Sequence, residues 1–272
     1  MSWRAKLDLD HPCWRGYRAL IRALPGDGFP LVESLNTLLP ATARTWSGHA
    51  VRFVAERDAA PGEYEARIDQ GGQVSTRADS WHDLFNALAW ARFPRIKAAI
   101  NGLHLRHRDA AAPDRRGPVR DALTLFDEGG GLLVSDSSEA LHAVAEHDWQ
   151  TVFGGQRPWQ ERFRFRILGH GLLDKCRAPY RAMTANVLLL HVSADHFRLP
   201  SEKLTVMLDR AVAQLMRRTV LPASTSALSP LPVAGIPGWS DRPARELLAD
   251  TDVFRPRAAH RPIAPVVQLS SA

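Results

Sequence analysis

The chain has 272 residues, 35 Lys+Arg against 29 Asp+Glu (net +6), 45% apolar and 24% charged residues. Those proportions exclude a disordered or collagen-like chain, and the length allows a sizeable core. Two cysteines, Cys13 and Cys176, are too few for a disulfide framework and suit a reducing, cytoplasmic compartment. No stretch approaches the roughly 18 apolar residues of a membrane-spanning helix, and the opening MSWRAKLDLDHP has no apolar secretory core, so no membrane association is expected.

From the N-terminus, Tyr17, Leu20, Ile21 and Leu24 recur at helical spacing, and Pro25-Gly26 ends that helix. Val32 to Leu39 reads as a second short helix closed by Pro40. Alternation at Val51–Ala55 and again at Glu63–Ile68, then Gly71-Gly72 leading into Val74–Arg77, predicts a small antiparallel meander. Ser80 stands three residues before Asp83, a variant of the capping box, and opens a helix through Trp81, Leu84, Phe85 and Leu88. Phe93-Pro94 breaks it, because proline disfavours helix at the preceding residue. The next helix has Ile96, Ile100 and Leu103 on one stripe and Lys97, Asn101, His104 and Arg108 on another.

Asp109 to Pro118 reads as a polar loop, Leu123–Phe126 as a strand, Gly129–Gly131 as its turn and Leu132–Val134 as the return strand. Ser137 or Ser138 caps a helix through Ala140, Val144 and Trp149. Phe163, Phe165 and Ile167 alternate with arginines, which predicts a strand with one wet face. Gly169-His170-Gly171 reads as a turn into Leu172–Lys175, and Ala185–Val192 as a strand or a buried helix. Ser201-Glu202 opens an amphipathic helix through Met216. The expected architecture is a single α+β domain over 1–256, small antiparallel strands interleaved with helices, with a proline-rich C-terminal wrap from about 221 and a flexible tail over 257–272.

Four polar pieces carry the candidate chemistry. His82-Asp83 stands at a helix start, with Asn86 on the same face as His82. His104 lies one turn beyond Asn101, Asp127-Glu128 precede a glycine turn, and His170 sits between two glycines. Imidazole and carboxylate groups suit zinc, manganese or iron, or acid–base work in hydrolysis. Each has a plainer reading. Asp83 answers the helix dipole, His82 bonds a backbone carbonyl, His104 faces solvent, Asp127-Glu128 are turn acids, and His170 lies between glycines that the backbone itself requires. No HExxH, CxxC, GxSxG, Walker or GxGxxG pattern is present.

The strings Ser80-Trp81-His82-Asp83-Leu84-Phe85-Asn86-Ala87-Leu88, Phe93-Pro94-Arg95, Arg120-Asp121-Ala122-Leu123-Thr124, Phe126-Asp127-Glu128, Gly169-His170, Gly235-Ile236-Pro237-Gly238-Trp239 and Phe254-Arg255-Pro256 resemble the bacterial domain-of-unknown-function family 3025. The resemblance runs from about Thr76 to Pro256. It implies a single soluble bacterial domain and no particular activity, and it places the chemically chosen residues inside the family's own motifs.

The leading expectation is a hydrolase-type enzyme. His82, Asp83, His104, Asp127 and Glu128 would be catalytic, and Asn86, Arg95 and His170 would bind an anionic substrate. His82, His104 and Asp127 would hold a divalent metal. A second reading is a nucleic-acid-binding module. It rests on the basic stretches Arg92–Arg120 and Gln156–Arg181, with Trp90, Trp159, Phe163 and Phe165 as stacking platforms. A third is a protein–protein adaptor that docks through the proline-rich segment.

Overall fold

The structure, a computed structural model, describes residues 2–108 and 117–269. The expected loop over Asp109–Pro118 therefore lies almost wholly outside the described residues. The helices are α1 (Arg18–Ala23), α2 (Val32–Asn36), α3 (Tyr64–Gly71), α4 (Trp81–Arg92), α5 (Pro94–Arg106), α6 (Pro118–Gly129) and α7 (Ser138–Ala145). They continue with α8 (Trp149–Gly154), α9 (Trp159–Arg162), α10 (His170–Lys175), α11 (Ala194–Phe197), α12 (Ser201–Arg218) and α13 (Ala244–Leu248). The strands are β1 (Arg52–Ala55), β2 (Gln73–Thr76), β3 (Gly130–Ser135), β4 (Arg164–Ile167), β5 (Thr184–His191), β6 (Ser229–Pro232) and β7 (Val266–Gln268). No helix among the described residues is long and apolar enough to cross a membrane.

The architecture is α+β, built on one five-stranded mixed sheet and a separate two-stranded pair. β3 and β5 form the centre of the large sheet and run parallel; β4 lies antiparallel to β3. The free edge of β5 is shared end to end, its first half pairing with β6 and its second with β7. Every residue of β3 is buried, and so are Val187–Leu190 of β5. The continuous apolar run at Ala185–Val192 is thus a central strand covered on both faces, the setting in which alternation disappears.

Several local expectations change, among them the Gly129–Gly131 turn, where Gly129 ends α6 and Gly130 opens β3, and the helix through Trp149, which stops at Ala145 before Trp149 opens α8. Glu63–Ile68 is not a strand but lies at the start of α3, and β1 and β2 pair in parallel around that helix instead of forming an antiparallel meander. The Gly71-Gly72 pair ends the helix: Gly72, at φ 67°, returns its amide to the carbonyls of Arg67 and Ile68. A six-residue apolar–polar alternation fits a helix face as well as a strand, and a left-handed glycine serves a helix end as readily as a hairpin. Leu123–Phe126 is part of α6, where Ala122, Leu123 and Phe126 face the core at helical spacing. Gly169-His170-Gly171 is a helix start, with Gly169 as N-cap of α10.

The C-terminal segment packs against the sheet. Leu228, Leu231, Val233, Ile236, Leu247, Val253 and Phe254 are buried in the main core, and β7 seats part of the expected tail against β5. The sheet supplies hydrogen-bond partners that no proline-rich pattern announces. Trp90, Trp159 and Phe163 are core residues, so three of the four rings expected to stack on bases are buried, and Phe165 is half-buried. Several basic residues near them are neutralised from other elements, in the pairs Arg92–Glu202, Arg95–Asp209, Lys97–Asp127 and Arg108–Glu63.

α4 and α5 follow the local code closely. The Ser80 hydroxyl accepts from the Asp83 amide, and Phe93 leaves helical geometry ahead of Pro94. α5 has no side-chain cap from its own N-cap residue. Asp209 of α12 substitutes, accepting from the amides of Arg95 (3.1 Å) and Ile96 (3.0 Å). Asp209 is 2% exposed, and this burial pushes its carboxyl up to about 6, against the pull of those amides and of the Arg95 guanidinium. An unfolded aspartate titrates near 4, so the folded state holds the extra proton between about 4 and about 6, and stability falls as pH rises across that window. Asp209→Asn should flatten that part of a plot of urea midpoint against pH. An unchanged slope would place the titration elsewhere.

Candidate metal and acid–base site

The ends of three helices meet beside α5. His82 comes from the first turn of α4, Asp127 and Glu128 from the last turn of α6, and His170 from the first residue of α10. Gly169 permits the meeting. A Cβ there would stand 2.5 Å from both the Glu128 carbonyl oxygen and the Gly130 nitrogen, and neither backbone atom can yield cheaply. Its amide donates to the Gly130 carbonyl at 2.9 Å, which fixes the approach. Gly169→Ala should therefore lower stability by about 1–3 kcal/mol and move His170 away from Glu128. Thermal unfolding and the histidine ring NMR signals would check this; an alanine variant with unshifted His170 signals would refute it.

His82 Nε2 and His170 Nε2 are 3.1 Å apart, His170 Nε2 is 3.3 Å from Glu128 Oε1, and His82 Nε2 is 4.0 Å from the same oxygen. One donor atom from each of these three residues lies within 4.8 Å of the other two. Tetrahedral ligands about 2.05 Å from a zinc ion would stand roughly 3.3 Å from one another, so the spacing matches such a set. His170 is buried, whereas the His82 and Glu128 side chains are 43% and 47% exposed, which leaves one side of the cluster open to solvent.

Behind the cluster lies a buried ion pair. Lys97, on α5, has a side chain 4% exposed and bonds Asp127 Oδ1 at 2.5 Å. The other Asp127 oxygen faces His170 Nδ1 at 3.7 Å. That nitrogen makes no hydrogen bond, and Asp127 is the carboxylate that faces it, the position outer carboxylates take beside metal-binding histidines. Burial works to raise the Asp127 carboxyl, but Lys97, then His170, outweigh it and hold the group below the ordinary carboxylate range. The hydrogen bond from His170 does the same for Glu128, against the effect of burial. Both carboxylates are thus ionised at neutral pH.

A cavity of about 190 Å³ adjoins these acids. His104, Asn101 and Lys97 line it from α5, Asp127 and Glu128 from α6, and Tyr64 from α3. Burial lowers the pKa of His104 despite the nearby Asp127 charge, and its Nδ1 has no hydrogen-bond partner. His104 is therefore a neutral imidazole at pH 7. Tyr64 is 40% exposed overall, yet protein packed about its hydroxyl, with Asp127 close by, pushes its pKa up; it stays a neutral phenol and accepts from Asn86 Nδ2 at 3.2 Å.

The structure sorts the residues chosen from sequence. His82, Asp127, Glu128 and His170 converge, and His104 shares the cavity with the two acids. Of the expected metal set His82, His104 and Asp127, only His82 belongs to the three-donor group. Asp83 is held by Arg77, whose amide and guanidinium bond its two oxygens at 2.7–2.9 Å, so its carboxylate orders the approach to α4. Burial works against this, but the Arg77 bonds keep Asp83 ionised, below its ordinary range. Arg95 pairs with Asp209 and does not line the cavity. Asn86 holds Tyr64. Lys97 and Tyr64 were not singled out as site residues. The stripe Lys97–Asn101–His104 was a signal for the first; nothing local marked the second.

Taken together, these features define a mixed-sheet α+β protein with an imidazole–carboxylate cluster at a junction of helix ends. The chain belongs to the family described as protein of unknown function (DUF3025), which matches residues 51–258 and so contains the whole cluster. Neither the curated proteins nor the solved structures compared with it gave a match.

Proposed function

We propose that this protein is a metal-dependent hydrolase whose ion is held by His82, Glu128 and His170. The observation that carries the reading is the clustering of two imidazole nitrogens and a carboxylate oxygen, from three separate helices, at ligand-to-ligand spacing. Three protein ligands leave a coordination position for water or substrate, the arrangement of catalytic rather than structural sites. A divalent ion there would acidify a bound water and polarise the bond under attack.

The remaining residues fit supporting roles. Asp127, anchored by Lys97, stands beside the far nitrogen of His170, where it would orient the ring for an ion. In the adjoining cavity, neutral His104 is suited to take a proton from the attacking water, and the Tyr64 phenol to give one to the leaving group. Asn86 and Asn101 fix the walls, the latter donating to the Glu65 carbonyl at 3.0 Å.

The test is hydrolysis of chromogenic phosphate and carboxylate esters by the full chain, before and after chelation and with zinc or manganese restored. Activity lost on chelation, regained with metal and absent from His170→Ala supports the reading. Activity unchanged by thorough chelation overturns its metal dependence, and a metal-replete protein inert towards both ester classes overturns ester hydrolysis.

A further inference from the structure

A second cavity, of about 300 Å³, has a different character. Its wall is formed by the segment before α1, by the ends of α4 and α9, by β4, by the start of α12 and by the turn at Ile236–Trp239. Arg15, Arg92, Arg164 and Arg166 line it, and no carboxylate does. None of its lining residues belongs to the cluster at His82, Glu128 and His170.

The four guanidiniums are unequally compensated. Arg92 is paired with Glu202, which stands outside the lining, and also reaches Thr205 Oγ1 at 3.2 Å. Arg166 donates only to neutral oxygens: Thr205 Oγ1 (3.1 Å), Ser201 Oγ (3.0 Å) and the Phe165 carbonyl (3.0 Å). Arg164 donates to the carbonyls of Gln160 and Phe163 and lies over the Phe197 ring. Among the described residues, Arg15, Arg164 and Arg166 have no carboxylate within ion-pair distance. Arg164 and Arg166 are half-buried and Arg15 is exposed, and partial desolvation without a counter-charge penalises the two half-buried cations. The effect registers on Arg166, which burial, with the charges of Arg92, Arg164 and Arg15, pulls down to about 10 against the opposing charge of Glu202.

The other wall is aromatic. The half-buried rings of Phe165 and Trp239 lie 6.1 Å apart, and both line the cavity. Guanidinium forks match the oxygens of a phosphate, and an indole face suits a flat ring. The volume is at the small end of the range for ligand sites. We propose that this cavity binds a small phosphorylated metabolite, with its phosphates among Arg92, Arg164 and Arg166, its flat part against Trp239, and Arg15 closing the rim. The site stands apart from the proposed hydrolase centre and does not depend on it.

The test uses the full chain, treated with EDTA so that no metal mediates binding. Inorganic pyrophosphate, AMP and citrate are titrated at low salt, with heat and tryptophan fluorescence as readouts. Saturable pyrophosphate binding at one site per chain is expected, weakened at high salt and by about tenfold or more in Arg166→Gln. Arg15→Glu, at an exposed position, should weaken it too and guards against a folding defect in the half-buried Arg166 variant. AMP should quench tryptophan fluorescence in the parent and do so less in Trp239→Ala. Pyrophosphate affinity should be unaltered in His82→Ala. No saturable binding, parental affinity in both arginine variants, citrate as tight as pyrophosphate, or loss in His82→Ala would each overturn the proposal.

Discussion

Purified protein is expected to hold close to one equivalent of a divalent transition metal, and His82→Ala and His170→Ala each to lose it. The two nitrogens and the Glu128 oxygen form the whole three-donor group, so removing any one leaves two protein ligands. Loss of outer-sphere partners alone costs about 10–100-fold in metal affinity, and loss of a direct ligand should exceed that. His82 is half-exposed, and its replacement should leave the fold intact, which makes it the cleaner variant. Asp127→Asn should retain metal but bind it about 10–100-fold more weakly, because among the three ligands it faces only His170, at the nitrogen away from the ion. His104→Ala should keep metal and lose turnover. Plasma mass spectrometry on the parent and the four variants decides the metal content. Metal-free parent protein after supplementation with zinc and with manganese, or full metal in both histidine variants, would remove the ion from the site.

The Asp127→Asn variant should also be the least stable single substitution in this region. It strips the partner from an ammonium whose side chain is 4% exposed, and breaking a buried pair from one side typically costs about 3–5 kcal/mol. Replacing both members, as Lys97→Met with Asp127→Asn, should recover more than half of that loss, since no buried charge is then left unpaired. The pair's contribution is present in full at neutral pH. Because Asp127 is held below its unfolded value, that contribution fades only in acid, as pH falls from about 4 through the depressed folded value. Urea unfolding of the parent and these two variants at pH 7, repeated at pH 3, measures both statements. A cost below about 1 kcal/mol for Asp127→Asn would show that water, not Asp127, satisfies Lys97.

Much of the helical framework was legible because its signals are local. Ser80 as cap, the Phe93-Pro94 break and the stripe Ile96–Ile100–Leu103 act within one or two turns, so neighbours suffice to specify them. Glu63–Ile68 and Leu123–Phe126 were misread for the same reason in reverse. Windows of four to six residues satisfy both periods, and only packing against α5 for the first, and against the sheet and α5 for the second, selects the helix. Gly169 shows a subtler limit. Flanking His170 with glycines looked like turn chemistry, whereas the observed requirement is room for the Glu128 and Gly130 backbones, which lie some forty positions earlier.

The sequence by itself determined the α+β class, the family, the main helix ends and the residue types available for chemistry. His82, Asp127, Glu128, His170 and His104 all stood out as imidazoles and carboxylates at the ends or polar faces of elements. Tertiary structure alone decided how they are shared out. Asp83 goes to Arg77, Arg95 to Asp209 and Lys97 to Asp127, leaving His82, Glu128 and His170 to face one another. Charge pairing across 30 or 114 residues, and the contact of His82 with His170 across 88, leave no periodic trace in the chain. Such contacts depend on how helices pack on the sheet, and a side chain's partner is set by which backbones approach within a few ångströms, not by its neighbours in sequence.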